Sequence, residues 1–268
     1  MKLEWNIIKR FSQNDTPCFS TNDVRKEFNN VSTSHLNNTL MRMVKNNMLI
    51  RLNRGLFYIV PLEHNSLNFI PNWHLVAKYL MQNKNYYIGY YSALQIHKLI
   101  TQPSLTEIVV TDIQMKPSNI EIQGVRFQFI YHKKDRFFGI KNTWIDNYNK
   151  VKCSDLEKTI ADSFINPHYS NGIVEIAKAV YESRNKIDMN KIMDYFAKSG
   201  SKVAARRYVF ICDILEISSS YHESLLQKNL TGSFLRLDTS APDEGKINTK
   251  YELKINRDIN TIKEAIYT

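Results

Sequence analysis

Two adjoining stretches decide how this chain is read. They are Ser32-Thr33-Ser34-His35-Leu36-Asn37-Asn38-Thr39-Leu40-Met41-Arg42-Met43-Val44-Lys45 and Met48-Leu49-Ile50-Arg51-Leu52-Asn53-Arg54-Gly55-Leu56-Phe57-Tyr58-Ile59-Val60. In the first, Leu36, Leu40, Met43 and Val44 recur at helical spacing, which predicts a helix from a Ser32 or Thr33 cap to about Asn46 with one buried stripe. Its other face carries Ser34, Asn38, Met41, Arg42 and Lys45, with His35 and Asn37 at the flanks and no acid. Short amides and cations suit a helix in the major groove, because Asn pairs bidentately with adenine, Arg with guanine, and cations reach phosphates. The second stretch reads as two apolar strands around Asn53-Arg54-Gly55, where glycine supplies the positive φ of a tight hairpin. Arg51 and Arg54 fall near its tip, placed for phosphates or the minor groove.

Toward the N-terminus, Val24 and Phe28 mark a second helix capped by Ser20 or Thr21, with Asp23 as the capping partner. Asn29-Asn30 makes the turn into the third helix. Leu3, Ile7, Ile8 and Phe11 predict a first helix, and Thr16 to Phe19 reads as a short connection. Three helices and then a hairpin is the order of a winged helix-turn-helix. A small helical subdomain packed on the rest, or a winged helix that binds protein, would share that order. Within the DNA-binding reading the candidate contacts are Ser34, His35, Asn37, Asn38, Arg42, Lys45, Arg51 and Arg54, and the partner is double-stranded DNA.

Charge supports this placement. The 268 residues carry a formal net charge of +10. Residues 1–60 hold nine basic residues against four acidic ones, half of that excess in under a quarter of the chain. Elsewhere the basic spots are Lys133-Lys134-Asp135-Arg136 and Lys202 with Arg206-Arg207, which read as solvated surface or as contacts to an acidic partner.

Rare residues exclude several chemistries. The closest of the eight glycines are Gly232 and Gly245, too far apart for a Walker A loop, a nucleophile elbow or a dinucleotide fingerprint. Cys18, Cys153 and Cys212 form no C-x-x-C pair and suit reduced thiols, so a cytoplasmic location is expected. Lys9 and Arg10 interrupt any signal-peptide core, and no stretch is apolar enough to span a membrane. No cofactor, metal or catalytic constellation is expected.

Pro61 to Asn72, with two prolines and no strong period, is read as a linker, dividing residues 1–64 from 65–268. The second part reads as mixed α and β, so the fold class is α+β. Helices are predicted over Trp73–Met81, after a Ser92 cap, over Leu156–Ile165 behind a Ser154/Glu157 capping box, and over Gly172–Arg184, Met189–Ser199 and Val203–Ile217. Strands are predicted at Tyr86–Tyr90, Glu107–Thr111, Gln123–Tyr131, Phe137–Trp144, Ser233–Leu237 and Lys250–Ile255.

Four stretches carry a family resemblance: RLNRGLFYIVP (51–61), YYIGYYSALQIHKLIT (86–101), VKCSDLEKTIADSF (151–164), and GSFLRLD with KYELKIN (232–238 and 250–256). In this order they resemble the AbiEi family of antitoxins and regulators from bacterial type IV toxin–antitoxin systems. One departure is Lys98, where the family often has glycine after the histidine of the SAL-x-x-H segment. The resemblance implies an N-terminal winged helix that represses its own operon at promoter repeats. It also implies a C-terminal α/β antitoxin domain that counteracts a cognate nucleotidyltransferase toxin without a stable complex. Ser92, His97 and Glu157 match motif positions and are expected to be structural: a cap, a packed or hydrogen-bonded helix residue, and a capping-box partner.

Two other function classes compete with this reading. A PD-(D/E)-x-K nuclease would need acidic groups on adjacent strands to hold Mg²⁺, and Pro242-Asp243 with Glu252-Leu253-Lys254 spells the letters at short spacing. An RNA-binding adaptor would use some of the fifteen tyrosines and Phe137-Phe138 to stack bases, although most of these fall at core-like positions.

Overall fold

The computed structural model describes residues 2–13, 16–61 and 69–267. The chain is mixed α and β, as expected. Its first elements are α1 (Lys2–Gln13), β1 (Cys18–Ser20), α2 (Thr21–Glu27), α3 (Thr33–Lys45), β2 (Leu49–Asn53) and β3 (Leu56–Ile59). The three strands form an antiparallel sheet in the order β1-β3-β2. The connection expected at Thr16–Phe19 is therefore half strand, with Cys18, Phe19 and Ser20 opposite Tyr58, Phe57 and Leu56. Three residues are too few to display the two-residue alternation by which strands are recognised. The proline beside them still takes part, since its carbonyl accepts the Ile59 N–H at 2.8 Å.

All four residues of β3 are buried, and alternation sends them to two different cores. Phe57 and Ile59 join Ile7, Phe11, Phe19, Val24, Leu36, Leu40 and Met43 beneath the helices. Leu56 and Tyr58 turn the other way, into a cluster with Leu75 and Val76 and with Ile88, Val109, Phe127 and Val151. The boundary expected between residues 64 and 65 lies outside the described residues. On either side of it the chain packs into this one apolar cluster.

The link between the two parts is α4 (Trp73–Leu80), capped by the Asn72 side chain, which accepts the Leu75 N–H. It leads to a six-stranded mixed sheet in the order β6-β7-β5-β4-β9-β8. The strands are β4 (Tyr86–Ile88), β5 (Thr106–Thr111), β6 (Asn119–Ile122), β7 (Val125–Tyr131), β8 (Ile140–Trp144) and β9 (Lys150–Ser154). Its second face carries Tyr87, Ile108, Val110 and Ile130, packed on α5 (Tyr90–Ile96), α6 (Leu156–Ile165), α7 (Ile173–Ser183), α8 (Met189–Ser199) and α9 (Lys202–Ile214). The chain ends with α10 (His222–Asn229), a small sheet of β10 (Leu235–Arg236), β11 (Lys246–Asn248) and β12 (Leu253–Ile255), and α11 (Ile259–Glu264).

Several expectations are corrected. Ser92 does not cap α5: Gly89 stands at that N-cap, and the buried Ser92 hydroxyl accepts the Ile108 N–H at 2.8 Å, fastening the helix to β5. The α6 cap is Asp155, which accepts the Lys158 N–H, and not Ser154. Glu157 is thereby freed from a capping role and binds Lys191 Nζ at 2.7 Å and the Asp188 N–H. The Phe137–Trp144 strand begins only at Ile140, because Lys134–Arg136 makes a 3₁₀ turn before it. Tyr90 belongs to α5, where the left-handed residue that opens the helix is itself fully buried. Arg206 and Arg207 are not solvated. Arg206 is 1% exposed and meets Glu252 at 2.7 Å, while Arg207 donates to the carbonyls of Arg236 and Phe164. Guanidinium groups satisfy otherwise orphaned carbonyls where three helices and the small sheet converge.

Candidate nucleic-acid interface

The Ser20 hydroxyl accepts the Asp23 N–H at 3.2 Å and the Asp23 carboxylate accepts the Ser20 N–H at 2.7 Å, so the expected capping box opens α2. At the head of α3, the Ser32 side chain accepts the His35 N–H. Leu36, Leu40 and Met43 then point into the core and leave the polar face outside. The hairpin tip is held at two points. The Asn53 side chain accepts the Arg54 N–H at 2.7 Å. Gly55, at φ +72°, presents its carbonyl to the Thr21 N–H at 2.8 Å. The tip is thus bonded to the first residue of α2, and a Cβ at Gly55 would stand 3.2 Å from Thr21 Oγ1.

This fastening encloses a cleft of about 320 Å³ between α2, α3 and the hairpin. Thr21 and Arg25 come from α2, Asn37, Leu40 and Met41 from α3, and Arg51, Arg54, Gly55 and Phe57 from the hairpin. Asn37, Arg51 and Arg54 are expected here from the sequence; Arg25 and Thr21 are not. Arg25 follows the buried Val24 and reads as ordinary helix surface, and only the bond between Thr21 and Gly55 brings α2 to the hairpin tip. No carboxylate lines the cleft, and among the described residues Arg25, Arg51 and Arg54 are in no ion pair. Three free guanidinium groups, an amide and an exposed thioether therefore face one concave surface. Such a surface is electrostatically matched to phosphates and sterically open to base edges.

The other expected contacts lie outside the cleft. Ser34, His35, Asn38 and Lys45 are exposed along α3 without lining it. Arg42 turns toward α1, with its guanidinium 2.7 Å from the Glu4 carboxylate.

Polar residues of the second part are occupied internally. His97 Nε2 donates to the Ser154 carbonyl at 2.8 Å, and burial lowers its pKa. On α6, beneath the sheet, the buried Asp162 accepts from Lys158 at 2.6 Å, Arg136 at 3.1 Å and the Tyr87 hydroxyl at 3.0 Å. His132 bridges the hydroxyls of Tyr87 and Tyr90, and burial pushes its pKa down to about 4. The two acids of the nuclease pattern are engaged by different partners. Lys254 pairs with the exposed Asp243 at 2.9 Å, while Glu252 accepts from Arg206 and from the Thr231 and Gly232 N–H groups. No helix among the described residues is long and apolar enough to cross a membrane.

Comparison with protein-family models and with curated proteins gave no match. Among solved structures, the chain is similar to the crystal structure of the RV2827C protein from Mycobacterium tuberculosis, with a TM-score of 0.71 and 11% sequence identity. The likeness covers 100% of this chain and 96% of that one, and at such identity what the two chains share is the fold.

Proposed function

We propose that residues 1–60 form a winged helix-turn-helix that binds double-stranded promoter DNA, with α3 as the reading helix and the β2–β3 hairpin as the wing. The observation that carries this proposal is the acid-free cleft in which Asn37 and Met41 of α3 face Arg25, Arg51 and Arg54. Asn37 reads a base edge, Met41 supplies apolar contact, and the three arginines neutralise phosphates on either side of the groove. A hairpin tip bonded to α2 presents these groups without first having to be ordered.

We infer further that the chain is a transcriptional regulator and antitoxin, repressing its own operon and counteracting a nucleotidyltransferase toxin. Support for this part comes from the AbiEi resemblance of residues 51–61, 86–101, 151–164 and the C-terminal strands. Neither role requires a catalytic step by this chain.

Electrophoretic retardation of the chain's own promoter fragment, with unrelated duplex in excess, tests the DNA-binding half. Retention of the promoter fragment under competition is expected, and equal binding to every duplex would overturn sequence-specific reading. Co-expression with the neighbouring gene tests the antitoxin half: rescue from toxicity should require residues 65–268.

A further inference from the structure

A second basic groove lies far along the chain from the proposed DNA-reading cleft. It is a depression of about 520 Å³ where the end of α4 meets the starts of β4 and β9, and its cations are Lys78, Lys84, Lys150 and Lys152. Gln82, Asn83 and Asn142 add neutral amides, and no carboxylate lines it. None of the four lysines is ion-paired among the described residues. The sheet register explains part of the cluster. Lys150 lies opposite Trp144 and Lys152 opposite Asn142, so alternation puts these four on one face of the β8–β9 hairpin.

The hairpin tip adds an aromatic element. Trp144 is 56% exposed and Tyr148 is 67% exposed. Lys150 Nζ stands 4.1 Å from the centroid of the Trp144 ring. The loop between the strands is closed by its own hydrogen bonds. Ile145 N–H donates to the Asn149 carbonyl at 3.0 Å, and the Asp146 carboxylate accepts the N–H groups of Tyr148 and Asn149. A tightly bonded turn thus holds two large rings out in water, where burial cannot account for them.

We infer that this groove binds single-stranded nucleic acid, with the lysines along the phosphates and Trp144 and Tyr148 as stacking platforms. Lysine ammonium groups are compact point charges that accept any phosphate geometry, which suits a flexible backbone. Rings held away from the body of the protein favour a strand over a duplex, because only unpaired bases offer free faces to stack on. The inference goes beyond the proposed promoter binding and uses none of its residues.

The test is fluorescence anisotropy of the full chain with a labelled oligouridine about 12 nucleotides long, titrated between roughly 50 and 200 mM salt. The variant Lys84→Gln/Lys150→Gln/Lys152→Gln should weaken strand binding about tenfold and reduce the salt slope by about 2. Trp144→Leu should weaken it about fivefold or more. Arg51→Gln/Arg54→Gln should leave strand binding in place. Near-ultraviolet crosslinking of a 5-bromouridine strand to the unaltered chain, which is free of any folding defect, should map to Trp144 or Tyr148. Strand affinity unchanged in the triple-lysine variant would overturn the inference, as would crosslinks confined to residues 20–57. Equal loss of blunt duplex and strand by the same variant would overturn it too, and would make the groove a flank for duplex DNA.

Discussion

The guanidinium of Arg42 lies 2.7 Å from the carboxylate of Glu4, so one of the cations on α3 is engaged in holding that helix to α1. Arg42 is half exposed. The pair therefore stabilises the fold modestly, and Arg42→Ala should cost about 1 kcal/mol or less in urea denaturation. Its effect on duplex affinity should be smaller than that of Arg54→Ala. A larger drop in anisotropy titrations would show that Arg42 leaves Glu4 to reach DNA.

Arg51 and Arg54 should behave as phosphate-binding residues. Each alanine variant should weaken specific and non-specific duplex alike and flatten the log–log salt dependence by about 0.9 for each phosphate left without its cation. Arg25→Ala should do the same, though residue 25 carries no recognition signal in the sequence. A defect confined to one base position would contradict this role.

Asn37→Ala should act differently, because an amide reads a base edge. Discrimination at one position of the operator should fall by about 1–3 kcal/mol, with the salt slope unchanged. Binding to a panel of single-base operator variants reads this directly.

The His74 imidazole lies 2.9 Å from the Glu107 carboxylate, joining α4 to β5. Burial alone would lower the His74 pKa, but the charge of Glu107 and the hydrogen bond to it outweigh burial and raise it. A raised folded-state pKa means that the unfolded state releases the proton first. The pair's contribution is therefore complete below the unfolded value of about 6.5 and is lost as pH rises through the folded value. His97, His132 and His222 are shifted downward and act in the opposite sense. The difference between wild type and His74→Gln isolates the pair. The gap in melting temperature should be widest near pH 6 and should narrow above it.

Lys158 and Asp162 are each 1% exposed, and the Lys158 ammonium is 2.6 Å from the carboxylate. Lys158→Met leaves Asp162 with Arg136 as its remaining cation partner and should cost about 3 kcal/mol. Replacing both, as Lys158→Met with Asp162→Leu, should recover part of that stability. Urea midpoints at constant m-value measure both.

The N-terminal elements are legible because their signals are local. Ser20 with Asp23 marks the start of α2, the stripe Leu36-Leu40-Met43 shows which face of α3 is buried, and Asn53-Arg54-Gly55 marks the turn. What escapes the sequence is set by partners distant along the chain. β1 is a strand only because β3 lies beside it, and Arg25 faces the cleft only because Gly55 bonds to Thr21. Ser92 looks like a cap until β5 arrives to use its hydroxyl. At α6 two adjacent residues, Ser154 and Asp155, could each cap, and the register of β9 decides by drawing Ser154 into the sheet. The pair Arg206-Arg207 shows the same limit: the carbonyls that bury it lie about 30 to 45 residues away.

The double burial of β3 bears on how this protein is divided experimentally. A fragment ending near residue 60 would keep its helices and the cleft, yet it would turn Ile50, Leu52, Leu56, Tyr58 and Val60 out to solvent. Each of the larger side chains carries roughly 1.5–3 kcal/mol of burial that the fragment forfeits. The exposed face is also a ready surface for self-association. Cutting the longer piece free uncovers the matching wall at Leu75, Val76 and Val109. A cut placed between residues 60 and 70 therefore leaves two pieces, each with an apolar wall turned out to water.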